Sequence, residues 1–331
     1  MNLETRYNEL NKDYGAYELV NIEKLNDLNS VGLLLKHKKS GARVAIISND
    51  DDNKVFSIGF KTPPDNDTGI QHIIEHSTLC GSRKYPVKDP FVELCKGSLN
   101  TFLNAMTYPD KTVYPVASCN MADFKNIMDV YMDAVFYPAM YEHEEIFKQE
   151  GWHYELEDVD GELAYNGVVF NEMKGVYSSA DDVLSRYTFV SLFPDSEYKN
   201  ESGGDPEAIP QLKYEDFIKY HKEYYHPVNS YIYLYGDIDV DERLEYLNNE
   251  YLSAFDKNDV NIDAEVTFQK AFDAPKYETR EYAITADELT MALYPEDIDS
   301  DDHNAFFDAP AAPVTPSRAS SEAQAIQDAL K

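Results

Sequence analysis

Two histidines four residues apart, His72 and His76, enclose the run HIIEH within the stretch 68–79. On a helix, positions i and i+4 share one face about one turn apart. Neutral imidazoles so placed can both reach one Zn²⁺ at roughly 2.0–2.1 Å. Glu75 borders the same face, where its carboxylate can take a proton from a water at the metal without being a ligand itself. The order is H-x-x-E-H, the reverse of the zinc-binding order H-E-x-x-H. The competing reading is a helix that carries these residues by chance and holds no metal. The surroundings favour the metal. Ile70, Ile73, Ile74 and Leu79 supply the apolar stripe of a half-buried helix. Asp65, Asn66, Asp67 and Thr68 can cap its start, and Gly81 can end it.

A catalytic zinc site needs a third protein ligand and an open position for water. Glu172, in the run GVVFNEMKG over 167–175, is the candidate, on what reads as a second helix beginning near a strand end. In so acidic a chain, an ordinary surface glutamate is the competing reading. Cys80 follows His76 by four residues, but the helix is expected to end at Cys80-Gly81, which ranks Cys80 below Glu172.

The elements that must position these residues follow from periodicity. Residues 1–28 read as a short helical or irregular lead. Strand-like runs cover 30–36, 42–48 and 55–61, the first two joined by a hairpin turn at Lys38-Lys39-Ser40-Gly41. Gly59 in the third run is expected to let a helix pack close. After the metal helix come a short helix over 90–97 and strands over 99–107 and 112–117. Residues 121–137 form an amphipathic helix whose Phe124, Ile127, Met128, Tyr131, Met132 and Val135 read as core. A helix over 144–150 leads into a strand candidate over 151–157 and a turn over 158–161. Helical signal resumes over 171–178 and 181–192. A helix over 213–225, a strand over 230–235 and a helix over 239–255 complete the periodic part. His37, His143, His153, His221 and His226 read as structural histidines, and His303 as solvated in an acidic tail.

The 331 residues suffice for one large or two medium domains, and 43% hydrophobic residues, with 26 Tyr and 16 Phe, support a substantial core. Sixty-one acidic against 29 basic residues give a formal charge of −32. That argues against nucleic acid and anionic membrane as partners and is compatible with basic peptides. Three cysteines, Cys80, Cys95 and Cys119, are too few and odd in number for a disulfide framework. No run approaches about 18 apolar residues, so no membrane span is expected. The polar, acidic N-terminus has neither an apolar signal core nor an Arg/Ser-rich transit pattern, and cytoplasm is the default location.

Four separate runs, HIIEHSTLCGS, KYPVKDPFVELCKGSLNTFLNAMTYPDKTVYPVAS, GVVFNEMKG and NESGGDPEAIPQL, resemble the insulinase/pitrilysin metallopeptidases, in particular the presequence protease branch and its bacterial homologues. The resemblance extends from about Tyr14 to about Tyr282 and stops near Thr285. It implies His72, His76 and Glu172 as ligands of one Zn²⁺ and Glu75 as general base. It also implies an edge strand over 99–107 that pairs with substrate main chain, with Asn104 and Ala105 holding the substrate backbone. By the residues alone, Asn104 reads as a strand-end amide capping its own turn. The implied fold is α/β of α+β sandwich type, a mostly antiparallel mixed sheet flanked by helices.

The expected domains are the lead (1–28), a zinc peptidase domain (29–258) in which the elements from about 213 open a second α/β unit or close the first, a linker (259–284) and an acidic, then Ala/Pro/Ser-rich disordered tail (285–331). Full-length enzymes of the branch close two halves like a clamshell around a peptide, and this chain matches none of the C-terminal half, which supplies an Arg/Tyr pair. The expected function is zinc-dependent endopeptidase cleavage of short unfolded peptides. The alternative is a peptide-binding fragment that depends on a second half or on self-association.

Overall fold

The computed structural model describes residues 1–159 and 161–279. In chain order the helices and strands are α1 (Leu3–Leu10), β1 (Tyr17–Leu25), β2 (Ser30–His37), β3 (Arg43–Ser48), β4 (Lys54–Lys61), α2 (Ile70–Thr78), α3 (Pro90–Gly97), β5 (Asn100–Leu103), β6 (Met106–Thr107), β7 (Lys111–Ser118), α4 (Met121–Phe136), α5 (Glu144–Glu150), β8 (His153–Glu155), β9 (Ala164–Asn166), α6 (Val168–Val176), α7 (Ala180–Leu192), α8 (Tyr214–Tyr224), β10 (Ser230–Gly236) and α9 (Val240–Glu250).

One sheet runs β1-β2-β3-β10-β4-β7-β5, with β6 also paired to β7. Its β10–β3 pair is parallel and its other pairs are antiparallel. This is the expected mixed, mostly antiparallel α/β class. Alternate residues fill one face. Phe56 and Ile58 of β4 stand between Leu234 and Ile232 of β10 on one side and Val116 and Tyr114 of β7 on the other, all buried. Against β4 and β7 packs α4, whose Phe124, Ile127, Met128, Tyr131, Met132 and Val135 are fully buried. The Met/aromatic stripe is therefore core.

Three expectations change and one open alternative is decided. Within the lead, Tyr17–Leu25 is an edge strand of the main sheet, paired along β2; its partner lies downstream, so the segment alone does not show the pairing. Of the two readings for the elements from about 213, the start of a second unit or the close of the first, the sheet shows the close, because β10 inserts between β3 and β4. The run 99–107 is divided into β5 and β6, both paired with β7. Gly59 accommodates a strand neighbour, not a helix: a Cβ there would stand 2.8 Å from Val113 Cγ1.

Asp129 on α4 ties three segments together. It accepts from Lys84 Nζ at 2.8 Å, from Tyr85 at 2.7 Å, and from the Tyr246 and Tyr251 hydroxyls. Burial resists its charge, but these donors outweigh it and hold the carboxyl at about 2. His221 is buried between the Tyr141 hydroxyl at 2.7 Å and the Val135 carbonyl at 3.1 Å. Burial pushes its pKa down to about 3.

The chain divides into two units. One holds Met1–Glu155 and Leu163–Ala271. The other holds Leu156–Glu162 and the described residues from Phe272 onward, where Lys276 Nζ lies 4.4 Å from the Phe272 ring centroid. The expected tail over 285–331, with His303, lies outside the described residues.

Candidate metal centre

Helix α2 buries Ile70, Ile73, Ile74, Ser77 and Thr78, which leaves His72 and His76 on its other edge. Their rings meet edge to face, centroids 4.9 Å apart. Helix α6 buries Val169, Phe170 and Met173, and this orientation turns Glu172 toward the histidines. Glu172 Oε2 is 3.7 Å from Nε2 of both His72 and His76. The three donor groups lie within 4.8 Å of one another. A four-coordinate cation with bonds of about 2.0–2.2 Å spaces its ligands by about 3.4 Å, so closure by a few tenths of an ångström brings Glu172 to ligand spacing from either imidazole. The His72, His76 and Glu172 side chains are 12%, 25% and 50% exposed, which leaves the cluster open on the carboxylate side. Cys80 stays outside it: its thiol contacts the His76 carbonyl at 3.4 Å, and burial and then Glu150 push its pKa up.

Each imidazole is fixed through its other nitrogen. His72 Nδ1 donates to the Gly203 carbonyl at 3.0 Å, and His76 Nδ1 pairs with Glu150 Oε2 at 3.3 Å. A carbonyl only accepts, so Nδ1 of His72 carries the proton and Nε2 presents its lone pair to the cluster. Burial lowers the His76 pKa, but the bond to Glu150 and the charges of Glu75, Glu150 and Glu172 outweigh it and raise the value.

Gly203 belongs to the NESGG run, to which sequence reasoning gave no role. The run is bound to the start of α2. Asp67 Oδ1 accepts from Glu201 N at 2.7 Å and from Arg186 at 2.8 Å, and Asp205 N donates to the Asp67 carbonyl at 2.8 Å. The residues expected to cap α2 are thus otherwise engaged: its N-cap is Gly69, at φ +64°, with no side-chain cap. A Cβ on Gly69 would stand 2.6 Å from Gly204 Cα, so the glycines permit the approach that delivers the carbonyl to His72. The paired glycines were the signal available in the sequence.

Glu75 is 8% exposed and accepts from Thr107 Oγ1 at 2.7 Å. Thr107, on β6, is a further site residue that sequence reasoning missed. A groove of about 500 Å³ is lined by His72, Glu75, His76 and Glu172 together with Asn104, Ala105 and the following three residues. Asn104 Oδ1 accepts the Ala105 N–H at 3.0 Å, which is the local amide cap.

The sequence matches two family models, "Insulinase (Peptidase family M16)" over residues 55–175 and "Peptidase M16 inactive domain" over 211–306. The second match continues past Thr285, where the motif resemblance ends, and corrects that boundary. Protein HypA of Clostridium perfringens is 56% identical over 278 residues, 84% of this chain and 28% of that protein. Presequence protease 1, chloroplastic/mitochondrial, of Arabidopsis thaliana is 53% identical over 260 residues, 78% and 24% of the two chains. The mitochondrial presequence protease of Drosophila melanogaster is 42% identical over 248 residues, 74% and 24%. The chain thus spans about a quarter of the length of these relatives. The crystal structure of pitrilysin superposes with a TM-score of 0.58 at 16% identity, over 73% of this chain and 25% of that one, a likeness of fold. With these matches, the chain belongs to the insulinase/pitrilysin family of peptidases, M16, and corresponds to an N-terminal portion of its members.

Proposed function

We propose that this chain carries the catalytic centre of a zinc endopeptidase acting on short unfolded peptides, with His72, His76 and Glu172 holding Zn²⁺ and Glu75 as general base. The observation that carries the reading is the convergence of two imidazoles and a carboxylate within 4.8 Å, in one groove with Glu75. Such a donor set suits zinc and leaves a fourth position open. Zinc, when bound, supplies Lewis acidity and brings the pKa of water there to about 7. Glu75 accepts the proton of the attacking water and passes it to the leaving amine. Thr107 holds one oxygen of that carboxylate and the other carries the proton. Strand β5 ends the sheet, where an extended peptide can add as a further strand. Asn104 and Ala105, just beyond it, are the proposed backbone contacts. Substrate engages the Ala105 N–H by displacing the Asn104 amide that now accepts it. The formal charge of −32 favours basic peptides.

A second reading is a peptide-binding fragment that needs another half, or a second copy, to complete its chamber. The span of about a quarter of its relatives' length favours it. The test is zinc stoichiometry of the purified chain together with cleavage of a quenched fluorescent basic peptide, with a chelator control. One zinc with chelator-sensitive cleavage supports the peptidase reading. One zinc without cleavage supports the partner-dependent reading. No zinc removes both.

A further inference from the structure

The segment after α2 folds back on the C-terminal end of α4. Ala139 N donates to the Gly81 carbonyl at 2.9 Å, Arg83 N to the Tyr137 carbonyl at 3.0 Å and Lys84 N to Asp133 Oδ2 at 2.6 Å. Gly81, at φ +114°, permits the return, since a Cβ there would stand 2.8 Å from the Val87 carbonyl oxygen. Between this loop and the stretch running into α5 lies a cavity of about 760 Å³, within the range of small-molecule sites, and it shares no lining residue with the metal groove. Its wall is unusual in what it leaves unpaired. Ser82 is 2% exposed and its hydroxyl has no hydrogen-bond partner, a cost that a bound polar group offsets. The Arg83 guanidinium lies 3.7 Å from the Tyr137 ring centroid and gives Nη2 to Asp133 at 2.7 Å. That fixes it and leaves, among the described residues, Nε and Nη1 without a partner. Lys88 on the loop and Glu142 on the other stretch have no ion pair among the described residues, whereas the neighbouring Glu145 is engaged by His143 at 3.1 Å. Pro86, Val87, Pro138 and Ile146 supply the apolar surface.

We propose that this cavity is a second binding site, for a short zwitterionic peptide with an apolar body. The peptide's C-terminal carboxylate accepts from the free edge of Arg83, from Lys88 and from the Ser82 hydroxyl. A planar carboxylate suits a guanidinium already fixed by stacking. The peptide's ammonium pairs with Glu142, and its apolar side chains cover the prolines, Val87 and Ile146. A ligand with one charge leaves either the basic loop or Glu142 without a partner. The site stands apart from the metal centre and needs no ion.

The test is calorimetric titration of the full chain, in excess chelator, with trileucine carrying free ends, with its C-terminal amide and with its N-acetylated form. The chelator keeps the result independent of the zinc assignment. Wild type is expected to bind one trileucine per chain, the amide about tenfold more weakly and the acetylated form several-fold more weakly. Ser82→Ala, Lys88→Met and Glu142→Gln are each expected to weaken trileucine binding several-fold, with Glu142→Gln erasing the preference over the acetylated form. None of these three side chains bonds another described residue, so each melting temperature is expected within about 2 °C of wild type. No saturable binding up to about 5 mM trileucine overturns the inference, as does equal affinity for the amidated or the acetylated form. Wild-type affinity in both Ser82→Ala and Lys88→Met places the peptide elsewhere on the chain and overturns it as well.

Discussion

Glu75 is held from two sides. Helix α2 sets its Cα one residue before His76, and Thr107 on β6 donates to its carboxylate at 2.7 Å. In the proposed role of general base, Glu75 is thereby aimed before substrate arrives, which is where general-base catalysis gains its factor. Glu75→Gln keeps the shape and removes the proton acceptor. It is expected to retain zinc and to lose roughly 10²–10⁴ in cleavage rate, read by metal content and peptide turnover on the same preparation. Thr107→Val removes only the hydroxyl. It is expected to lower kcat by less than Glu75→Gln does, with zinc affinity unchanged, and Thr107→Ser to restore the rate. A Thr107→Val protein with wild-type kcat removes Thr107 from the site.

At the scale of elements, the site depends on how α2 meets the loop carrying Gly203. No side chain caps α2; its first turn abuts a backbone, with Gly69 against Gly204. Gly69→Ala puts a methyl group where 2.6 Å is available, at a positive φ that favours glycine. The cost of such overpacking is about 1–3 kcal/mol, expected as a lower urea midpoint and as weaker zinc binding through the displaced Gly203 carbonyl. Loss of stability without loss of zinc affinity separates the loop from the metal. The Asp129 network makes a different prediction. Its carboxyl is depressed from 3.8 to about 2, so its contribution is full above about pH 4 and is lost as pH falls through 2. Asp129→Asn is expected to cost about 2 kcal/mol at pH 7, with the difference from wild type shrinking between pH 4 and 2 in urea titrations.

For the whole molecule, buried histidines set the acid response. His221 stays neutral in the fold, its pKa about 3, and burial lowers His37 and His226 as well. An unfolded histidine binds its proton near pH 6.5. Below that pH the unfolded state holds more protons, so His221 alone removes about 1.4 kcal/mol per pH unit. Stability is expected to fall between pH 6.5 and 5, and His221→Gln to flatten that slope in thermal melts. An unchanged slope removes His221 as its source. Zinc acts in the opposite direction: at a hundred times its dissociation constant it adds about 2.7 kcal/mol, expected as a higher melting temperature that a chelator reverses.

Helical spacing alone put His72 and His76 on one face, because an i, i+4 relation is settled by the geometry of a single turn. The same local rule marked α4 as a core helix from Phe124 to Val135. The alternation of β10 marked it as a strand. By contrast, periodicity could not pair β1 with β2 or place β10 between β3 and β4. Register and strand order are set by long-range hydrogen bonds and shared burial, which leave no local trace. The site follows the same division. Its donor types were legible, and family motifs implied Glu172 and Glu75. The contacts of Gly203 with His72, Glu150 with His76 and Thr107 with Glu75 join residues far apart in sequence. They exist because α5, β6 and the glycine loop pack around α2, and only the tertiary structure decided that.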